Sequence, residues 1–528
     1  MGRVGESESR KAGKKAQGYT RRRVLGGIGA AAGAALWSYD LTGAAWRLSG
    51  AQELVATMAI DLTVEPPTLD PALVYDVDGW SLIHAIYDAP VQLGAGGALE
   101  MVLAESMTQT DPLIWEIRLR PGITFHNGEP LDVASIAFSI ARILDPETAS
   151  QVAGTFGAIE EVEEVDPLTA RLHLATPAPW LPSQIAPWLA LLPPVYASDA
   201  ANDFANNPVG TGPYRFQKWD RGSRIVLARN DDYFGGGAKG VPIADEVEYR
   251  FVLDGTTRVT DLMAGSSQLV AGVPFDEWDA VAETAKVIAQ PIVGCALVRI
   301  PTDVAPFDNA AVRLAMNHAV DVDGIIAALL GGHGQRLANV FPPQGMGYDE
   351  ELAPHAYDPE LARTLLADAG YADGFSTRLA YTSVDRADIV GAIAGQLAEV
   401  GIAAELEPVE ITTFNATWTD PEAAPLRYLT WRPLFDPYTL LSLVVSNAGF
   451  LSRYDDPEAQ ELIDAGAAET EPEERTRIYQ QLGRVLHDSP AGIYLWNRTS
   501  FYGLSREVSA WTPRPDDWML PLVVEDES

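Results

Sequence analysis

Hydrophobic and polar residues recur at two different spacings along this chain, and the balance changes near its middle. Residues 55–60 alternate as a strand does, and so do Trp115, Ile117 and Leu119. In the segment 131–144 the hydrophobic residues instead recur at helical spacing. The first part of the chain is therefore predicted to mix strands with helices.

Turn-forming residues separate the other elements of this first part. A helix is predicted from Gly79 to about Leu93, where a glycine-rich segment ends it. Residues 159–165 and 170–174 are predicted as a strand pair joined by an Asp-Pro turn. Further strands are predicted at 214–219, 224–228 and 246–252.

Beyond Pro301 the hydrophobic spacing becomes that of longer helices. Asp358 and Pro359 are predicted to open one helix as its N-cap and first-turn proline, and Gly370 is predicted to end it. Ile389, Ile393, Leu397 and Val400 are spaced as on one face of an amphipathic helix. This part of the chain is therefore predicted to be helix-rich.

Two other helix starts carry capping signals, and strand-like alternation then returns. Asp308 is predicted as an N-cap, and Thr470 with Glu473 is predicted to form a capping box. Alternation resumes at residues 493–496. A mixed region therefore surrounds a helix-rich one, as in a domain that is interrupted by a second domain.

This order predicts where the chain divides. We expect a first lobe over 51–300, a second lobe over 301–494 and a return to the first lobe over 495–528. Two chain crossings between lobes make a natural hinge, and a cleft between lobes is a preferred site for a small ligand.

The N-terminal segment predicts export. In residues 1–50, Arg21 and Arg22 precede a hydrophobic Gly- and Ala-rich stretch that ends near Trp37, which resembles a twin-arginine signal. The stretch is shorter than the about 20 residues that span a bilayer, and no cysteine follows it for a lipid anchor. We expect a periplasmic or extracellular protein; an uncleaved N-terminal anchor is the open alternative.

Charge and cysteine content exclude several classes of partner. The chain of 528 residues has a formal net charge of −36. Such an acidic surface does not bind nucleic acid through phosphate contacts or dock on an anionic membrane. The single cysteine, Cys295, cannot form an internal disulfide or a thiolate-rich metal site, and it is expected to be buried.

Catalytic motifs are absent from the sequence. It has no Gly-x-Ser-x-Gly elbow, no Gly-Lys-Ser/Thr phosphate loop and no His-Glu-x-x-His. Its seven histidines show no metal-ligand spacing, and His126 is expected to be structural. The sequence therefore offers little support for catalysis or for a metal site. A secreted acidic hydrolase is the alternative from another class, although no nucleophile–base pair supports it.

Three motifs carry a resemblance to a known family. Residues 208–216 read Pro-Val-Gly-Thr-Gly-Pro-Tyr-Arg-Phe, after Phe-His-Asn-Gly-Glu at 125–129 and before Arg-Asn-Asp-Asp-Tyr-Phe at 229–234. From about Leu69 to its C-terminus the chain resembles the extracytoplasmic solute-binding proteins of ABC importers, peptide/nickel/opine-binding family (family 5). The resemblance implies an α/β, two-lobed periplasmic-binding-protein-like fold with an extra domain inserted in the first lobe (class C type), at about 95–205.

The resemblance also implies a function and its partners. A peptide or similar-sized polar solute would be captured in the interlobe cleft and delivered to the membrane permease subunits of an ABC importer. The resemblance thus implies a binding protein that is not an enzyme and needs no cofactor or metal. We expect a monomer that binds no nucleic acid. A nickel or metal-chelate ligand is the alternative within the family: the spacing from Trp431 to Asp436 fits its nickel-binding members, but their following histidine is missing from residues 444–449.

The site residues that the resemblance implies come from both lobes. They are Tyr75 and Trp80 from the first lobe, Cys295 from a segment that reaches the cleft, and Trp431, Arg432 and Phe435 from a loop of the second lobe. Without the resemblance, Trp431 and Phe435 would be expected in the core. Arg432 either pairs with a surface acid or clamps a ligand carboxylate, and both alternatives stay open.

Overall fold

The structure is a computed structural model, and it describes residues 55–94, 98–235, 237–343, 345–382, 385–431 and 436–523, apart from the side chain of Thr412. The predicted signal region 1–50 and the predicted site residues Arg432 and Phe435 lie outside the described residues. No described helix is both long enough and apolar enough to cross a membrane.

The first part of the chain mixes strands and helices, as predicted. Its elements are β1 (Val55–Leu62), α1 (Val77–Ile86), β2 (Val91–Leu93), β3 (Leu99–Met101), β4 (Ala104–Asp111), β5 (Ile114–Leu119), α2 (Val133–Leu144), α3 (Ala153–Phe156), β6 (Ile159–Asp166), β7 (Thr169–Leu174), α4 (Leu181–Trp188), α5 (Pro194–Ser198), β8 (Tyr214–Asp220), β9 (Arg224–Arg229), β10 (Val241–Pro242), β11 (Ala244–Phe251), α6 (Gly255–Met263), β12 (Leu269–Ala271), α7 (Trp278–Thr284) and β13 (Lys286–Arg299).

Helices are more frequent in the second part until the last strands. Its elements are α8 (Ala310–Ala319), α9 (Val322–Leu329), α10 (Pro359–Asp368), β14 (Phe375–Thr382), α11 (Ala387–Glu399), β15 (Ile402–Val409), α12 (Ile411–Ala416), β16 (Leu426–Thr430), α13 (Tyr438–Leu440), α14 (Pro457–Ala468), α15 (Pro472–Asp488), β17 (Gly492–Leu504) and β18 (Leu522–Val523). A π-helical turn, Leu441–Val445, continues α13.

One ten-stranded sheet runs through both lobes in the order β15-β14-β16-β13-β17-β12-β1-β11-β9-β8. The long strands β13 and β17 lie at its centre. The first half of β13 pairs with the last half of β17, and β17 pairs there with β12 on its other side. The last half of β13 pairs with the first half of β17 on one side and with β16 on the other. Their pairing shifts register between Pro291 and Leu297, so the regular ladder is broken where the chain passes between lobes. The predicted lobe and subdomain boundaries themselves stay predictions.

Each lobe has its own packing. In the first lobe a separate four-stranded sheet, β4-β5-β7-β6, joins the core that covers β1 and β11. In the second lobe the sheet lies between two hydrophobic layers. Helices α8 to α11 pack on one face, and α12, α14 and α15 pack on the other. This arrangement is the two-lobed α/β fold.

The Phe-His-Asn-Gly-Glu motif at 125–129 holds the glycine-rich turn at 208–216 in place. His126 bonds through Nε2 with the Gly212 carbonyl at 3.0 Å, and its Nδ1 accepts from Gly210 N at 3.3 Å. A Cβ on either glycine would collide with the carbonyl of Ile86. Burial, and to a lesser extent the charge of Arg215, lower the pKa of His126 to about 4, although the hydrogen bond to the Gly212 carbonyl acts in the opposite direction. The motif is thus structural, as expected for His126.

Three local predictions were wrong, and each has a physical reason. Helix α1 ends at Ile86 and is followed by strand β2, because Pro90 cannot continue a helix. The N-cap of α8 is Asn309, whose side chain accepts from Ala311 N, rather than Asp308. Helix α15 starts at a proline after Glu471 with no side-chain cap, so the predicted capping box does not form.

Other local predictions are confirmed. The Asp358 side chain caps α10 by accepting from Leu361 N. Gly370 follows that helix with φ at +91°, a conformation that glycine adopts without steric cost. The strand pair around the Asp-Pro turn is formed by β6 and β7.

Candidate ligand-binding site

The candidate site lies where the strand order of the second lobe reverses. Strand β14 connects through α11 to β15 on one side, and the chain then returns through α12 to β16 on the other side of β14. The two crossover helices belong to opposite faces of the sheet. In open α/β sheets the crevice at the carboxyl ends of two such strands is a preferred ligand site. Here those ends are Thr382 and Thr430.

Trp431 follows β16 directly at this edge. Its backbone N donates to the carbonyl of Cys295 at 2.7 Å, which fixes it against the break in β13. The side chain is half-buried, and its indole N–H has no hydrogen-bond partner among the described residues. Trp431 thus places a partly exposed ring beside the crevice, packed against the second-lobe core, and its indole N–H is buried.

A small cavity lies beside Trp431 and brings two of the predicted site residues together. It is lined by Val293, Gly294, Cys295, Val340, Phe341, Pro342, Gly345, Met346, Trp431, Asp436, Pro437 and Leu440. Its volume of about 20 Å³ suffices for about one water molecule. Burial raises the pKa of the Cys295 thiol to about 12, so the sulfur is an uncharged, apolar part of the wall.

A buried ion pair holds the segment that follows this loop. Asp436 accepts from Arg475 Nη2 at 3.0 Å and forms a second, very short contact with Nη1. Its other contact is with Tyr438 N at 2.9 Å, so it fixes the start of α13 although Pro437 occupies the N-cap position. Arg475 also donates to Tyr479 Oη at 3.1 Å. Sequence analysis did not identify Arg475, since it lies far along the chain on α15.

The predicted first-lobe residues belong to a packed aromatic cluster, which we call the platform and define as Tyr75, Trp80, Trp188 and Trp518. Trp80 is 2% exposed, with ring centroids 6.4 Å from Tyr75, 5.9 Å from Trp188 and 6.3 Å from Trp518. Tyr75 is half-buried and stacks on Trp188 at 6.2 Å. Neither residue lines the cavity beside Trp431, and the ligand-facing role of both stays a prediction.

The two lobes touch directly beyond the platform. Trp180 stacks on Tyr438 with ring centroids 3.7 Å apart and an interplanar angle of 5°. Next to it, Thr439 Oγ1 donates to Gln184 Oε1 at 2.8 Å, and both side chains are buried. We call these four residues the clasp. The clasp could not be predicted from the sequence, because it joins segments that are about 255 residues apart along the chain.

A half-buried arginine, Arg498, lies on β17 at the crossing between lobes. It forms no hydrogen bond or ion pair within the described part of the chain. Its positive charge acts against the effect of burial, which raises the pKa of Asp385 and of Asp517. Asp385 follows β14 at the crevice and accepts from Thr382 N and Oγ1, each at 2.7 Å. Arg498 is therefore a cation without a fixed partner near the crevice.

Metal coordination has no support from the described side chains. No group of three or more His, Cys, Asp or Glu residues among them is arranged to hold a metal ion. The prediction that no metal is needed stays a prediction.

Sequence relatives identify the family. Residues 98–452 match the family described as bacterial extracellular solute-binding proteins, family 5 Middle. The glutathione-binding protein GsiB of Salmonella paratyphi A is 28% identical over 373 residues, which are 70% of this chain and 71% of that protein.

Solved structures share the fold. DppA from Helicobacter pylori, a periplasmic binding protein in complex with the peptide STSA, has a TM-score of 0.76 at 24% identity and covers 89% of this chain and 99% of its own. AgaA from A. tumefaciens R10, in complex with agropinic acid, has a TM-score of 0.73 at 27% identity and covers 85% and 94%. The predicted family and two-lobed fold are confirmed: the chain belongs to the bacterial extracellular solute-binding proteins of family 5.

Proposed function

We propose that this protein captures a peptide or similar-sized polar solute between its lobes and delivers it to the permease subunits of an ABC importer. The observation that supports the site is the position of Trp431, at the reversal of strand order and against the break in β13. The known ligands of the relatives, which are glutathione, a tetrapeptide and agropinic acid, are all small polar molecules that carry carboxylates.

We assign the ligand contacts by chemistry. Trp431 supplies rigid aromatic area and an indole donor at a low cost in conformational entropy. The guanidinium of Arg498 suits a ligand carboxylate, and that of Arg432 could bind a carboxylate in the same way. Phe435 adds aromatic area, and Cys295 is an apolar wall. From the first lobe the half-buried Tyr75 completes the enclosure, and the buried Trp80 packs against it.

The proposed role involves no chemistry on the solute, and no metal. The metal-chelate alternative gains no support from the described side chains. The hydrolase alternative would show itself as conversion of the bound solute. The protein is proposed to act as a monomer outside the cytoplasm.

Solute released from the purified protein tests the function. The protein is denatured, the released small molecule is identified by mass spectrometry, and the same compound is titrated back onto stripped protein. We expect a metal-free solute that raises Tm through mass action. If nothing is recovered, glutathione, the peptide STSA and agropinic acid serve as probes. A converted product instead of the intact solute would contradict the binding role.

The export route has its own test. We propose that residues 1–50 act as a twin-arginine signal, for which the arginine pair is required. The double variant Arg21→Lys with Arg22→Lys should stay in the cytoplasm, whereas a Lys11→Arg variant of the same leader should be exported normally. Unchanged extracytoplasmic yield of the double variant would contradict this route.

A further inference from the structure

Two arginines lie opposite each other inside the second lobe. Arg299 of β13 and Arg427 of β16 are directly paired across the two antiparallel strands. They share a sheet face with Leu297 and Leu429, which belong to the core beside α14 and α15, because side chains alternate along a strand. Only 1% of Arg299 and 2% of Arg427 is exposed.

The hydrogen-bond acceptors of this pair are uncharged. Arg299 donates from Nη2 to the carbonyl of Pro425 at 3.2 Å. Arg427 donates from Nη1 to the carbonyl of Phe414 at 2.8 Å and from Nη2 to the carbonyl of Thr417 at 2.6 Å. These bonds satisfy part of each guanidinium but supply no negative charge.

Three buried nitrogen atoms of the pair have no acceptor. Arg299 Nε, Arg299 Nη1 and Arg427 Nε find no hydrogen-bond partner within the described residues. A third arginine, Arg453, adds positive charge nearby, but Asp303 is its own partner, with Arg453 Nη2 2.9 Å from Asp303 Oδ1. Neither Arg299 nor Arg427 forms an ion pair with a described carboxylate.

Described carboxylates act on this pair only from beyond ion-pair distance: Asp303 on Arg299, and Glu407 and Asp420 on Arg427. The arrangement therefore favours a closer counter-charge. Like charges directly opposite on neighbouring strands destabilise a sheet, and a buried ion is tolerated when an opposite charge and hydrogen bonds compensate its lost hydration. Burial, and then the charge of Arg427, lower the pKa of Arg299 to about 9. The group still carries its proton at neutral pH, so the positive charge persists.

We propose that Arg299 and Arg427 together bind a small inorganic anion of the halide class, with chloride as the natural ligand. The unpartnered N–H groups are the donors that such an anion requires. The anion must be small, because the pair is buried and the Trp418 ring lies over both guanidinium groups, at 5.5 and 4.9 Å from its centroid.

The anion site is separate from the solute site. Leu297 and Leu429 lie between the arginine pair and the residues Cys295 and Trp431 along the same two strands. The proposal therefore does not rest on the identity of the solute. Its consequence is that the stability of the second lobe depends on halide concentration.

Anomalous diffraction from crystals of the wild-type protein soaked in bromide tests the proposal directly. We expect an anomalous peak within hydrogen-bonding distance of Arg299 and Arg427. Density at this place without anomalous signal would mean ordered water only and would overturn the proposal, as would the absence of any density.

Thermal unfolding gives an independent test in solution. Chloride is exchanged for gluconate at constant ionic strength, and Tm of the wild-type protein should rise with chloride. Arg299→Met should lose this dependence, whereas the control Arg363→Met, which removes an exposed arginine of α10, should keep it. A chloride-independent wild-type Tm, or an unchanged dependence in Arg299→Met, would overturn the proposal. If Arg299→Met does not fold, the bromide experiment decides.

Discussion

The two aromatic surfaces near the cleft differ in how completely they are packed. In the platform of the first lobe, Trp80 is surrounded by three other rings and is 2% exposed. In the second lobe, Trp431 is half-buried and keeps an unpartnered indole N–H beside a cavity. An unpartnered indole N–H does not separate the two surfaces, because Trp188 and Trp518 of the platform have one as well. They differ in burial: the Trp80 ring is enclosed, whereas the Trp431 ring is only partly covered. This difference leads us to expect a packing role for Trp80 and a solute contact for Trp431.

The largest expected effect is the loss of the platform's central ring. Trp80→Ala should lower the free energy of unfolding by about 3–5 kcal/mol, because the cavity it leaves is enclosed by rigid rings. Denaturant titration monitored by circular dichroism measures this loss. A change below about 1 kcal/mol would show that Trp80 is not packed as described and would remove the contrast with Trp431.

Trp431→Ala should act on affinity instead of stability. We expect solute binding to weaken by about 2 kcal/mol, as for an aromatic hot spot, with Tm of the free protein nearly unchanged. Calorimetric titration with the recovered solute measures it. The control Trp219→Ala removes a half-buried ring on β8, outside the cavity lining, and should leave affinity intact. Intact affinity with a sharply lower Tm in Trp431→Ala would assign Trp431 to the core.

Acid should weaken the first lobe through its buried histidines. Burial lowers the pKa of His126 to about 4, and it lowers the pKa of His84, which stacks on Trp518 of the platform, well below its ordinary value. A histidine that is neutral in the fold takes up its proton more readily when unfolded, so stability is complete above pH 6.5 and falls as pH decreases toward 4.

For His126 alone, the expected loss between pH 6.5 and 5.5 is about 1 kcal/mol. Unfolding titrations at these pH values measure it. His126→Asn should reduce the pH dependence, and a dependence that the variant leaves unchanged would contradict this assignment.

The smallest effect concerns the clasp. The stacked pair Trp180 and Tyr438 should contribute about 0.5–1.5 kcal/mol of coupling to lobe closure. A double-mutant cycle with Trp180→Ala and Tyr438→Ala, followed by affinity for the recovered solute, measures this coupling. Solution scattering should show a larger radius of gyration for Tyr438→Ala. Additive effects and unchanged scattering would mean that the clasp does not stabilise the closed state.

Local sequence signals predicted the ends of an element well where residues close in sequence fix them. Asp358 caps its helix and Gly370 ends it, because both effects involve neighbouring residues. The family resemblance predicted the two-lobed fold. It also placed Cys295 and Trp431 among the site residues, and both line one cavity in the structure.

Contacts between distant segments could not be predicted from the sequence. Nothing near Asp436 indicates that Arg475 is its partner, and no local pattern pairs Trp180 with Tyr438. The cross-strand register that sets Arg299 opposite Arg427 is equally non-local. The helix predicted from Gly79 to about Leu93 is shorter in the structure for a local reason, since Pro90 cannot continue it.

The register break in the central strands has a practical consequence for engineering. Cys295 and Asn497, at this break, are paired across β13 and β17, and we expect the chain to cross between the lobes there. Paired residues on adjacent antiparallel strands have Cα atoms about 5 Å apart. Because its two ends lie next to each other, the second lobe can be replaced as one unit at this place. Exchanging it for the corresponding module of a relative would transplant the Trp431 crevice and leave the aromatic platform of the host unchanged.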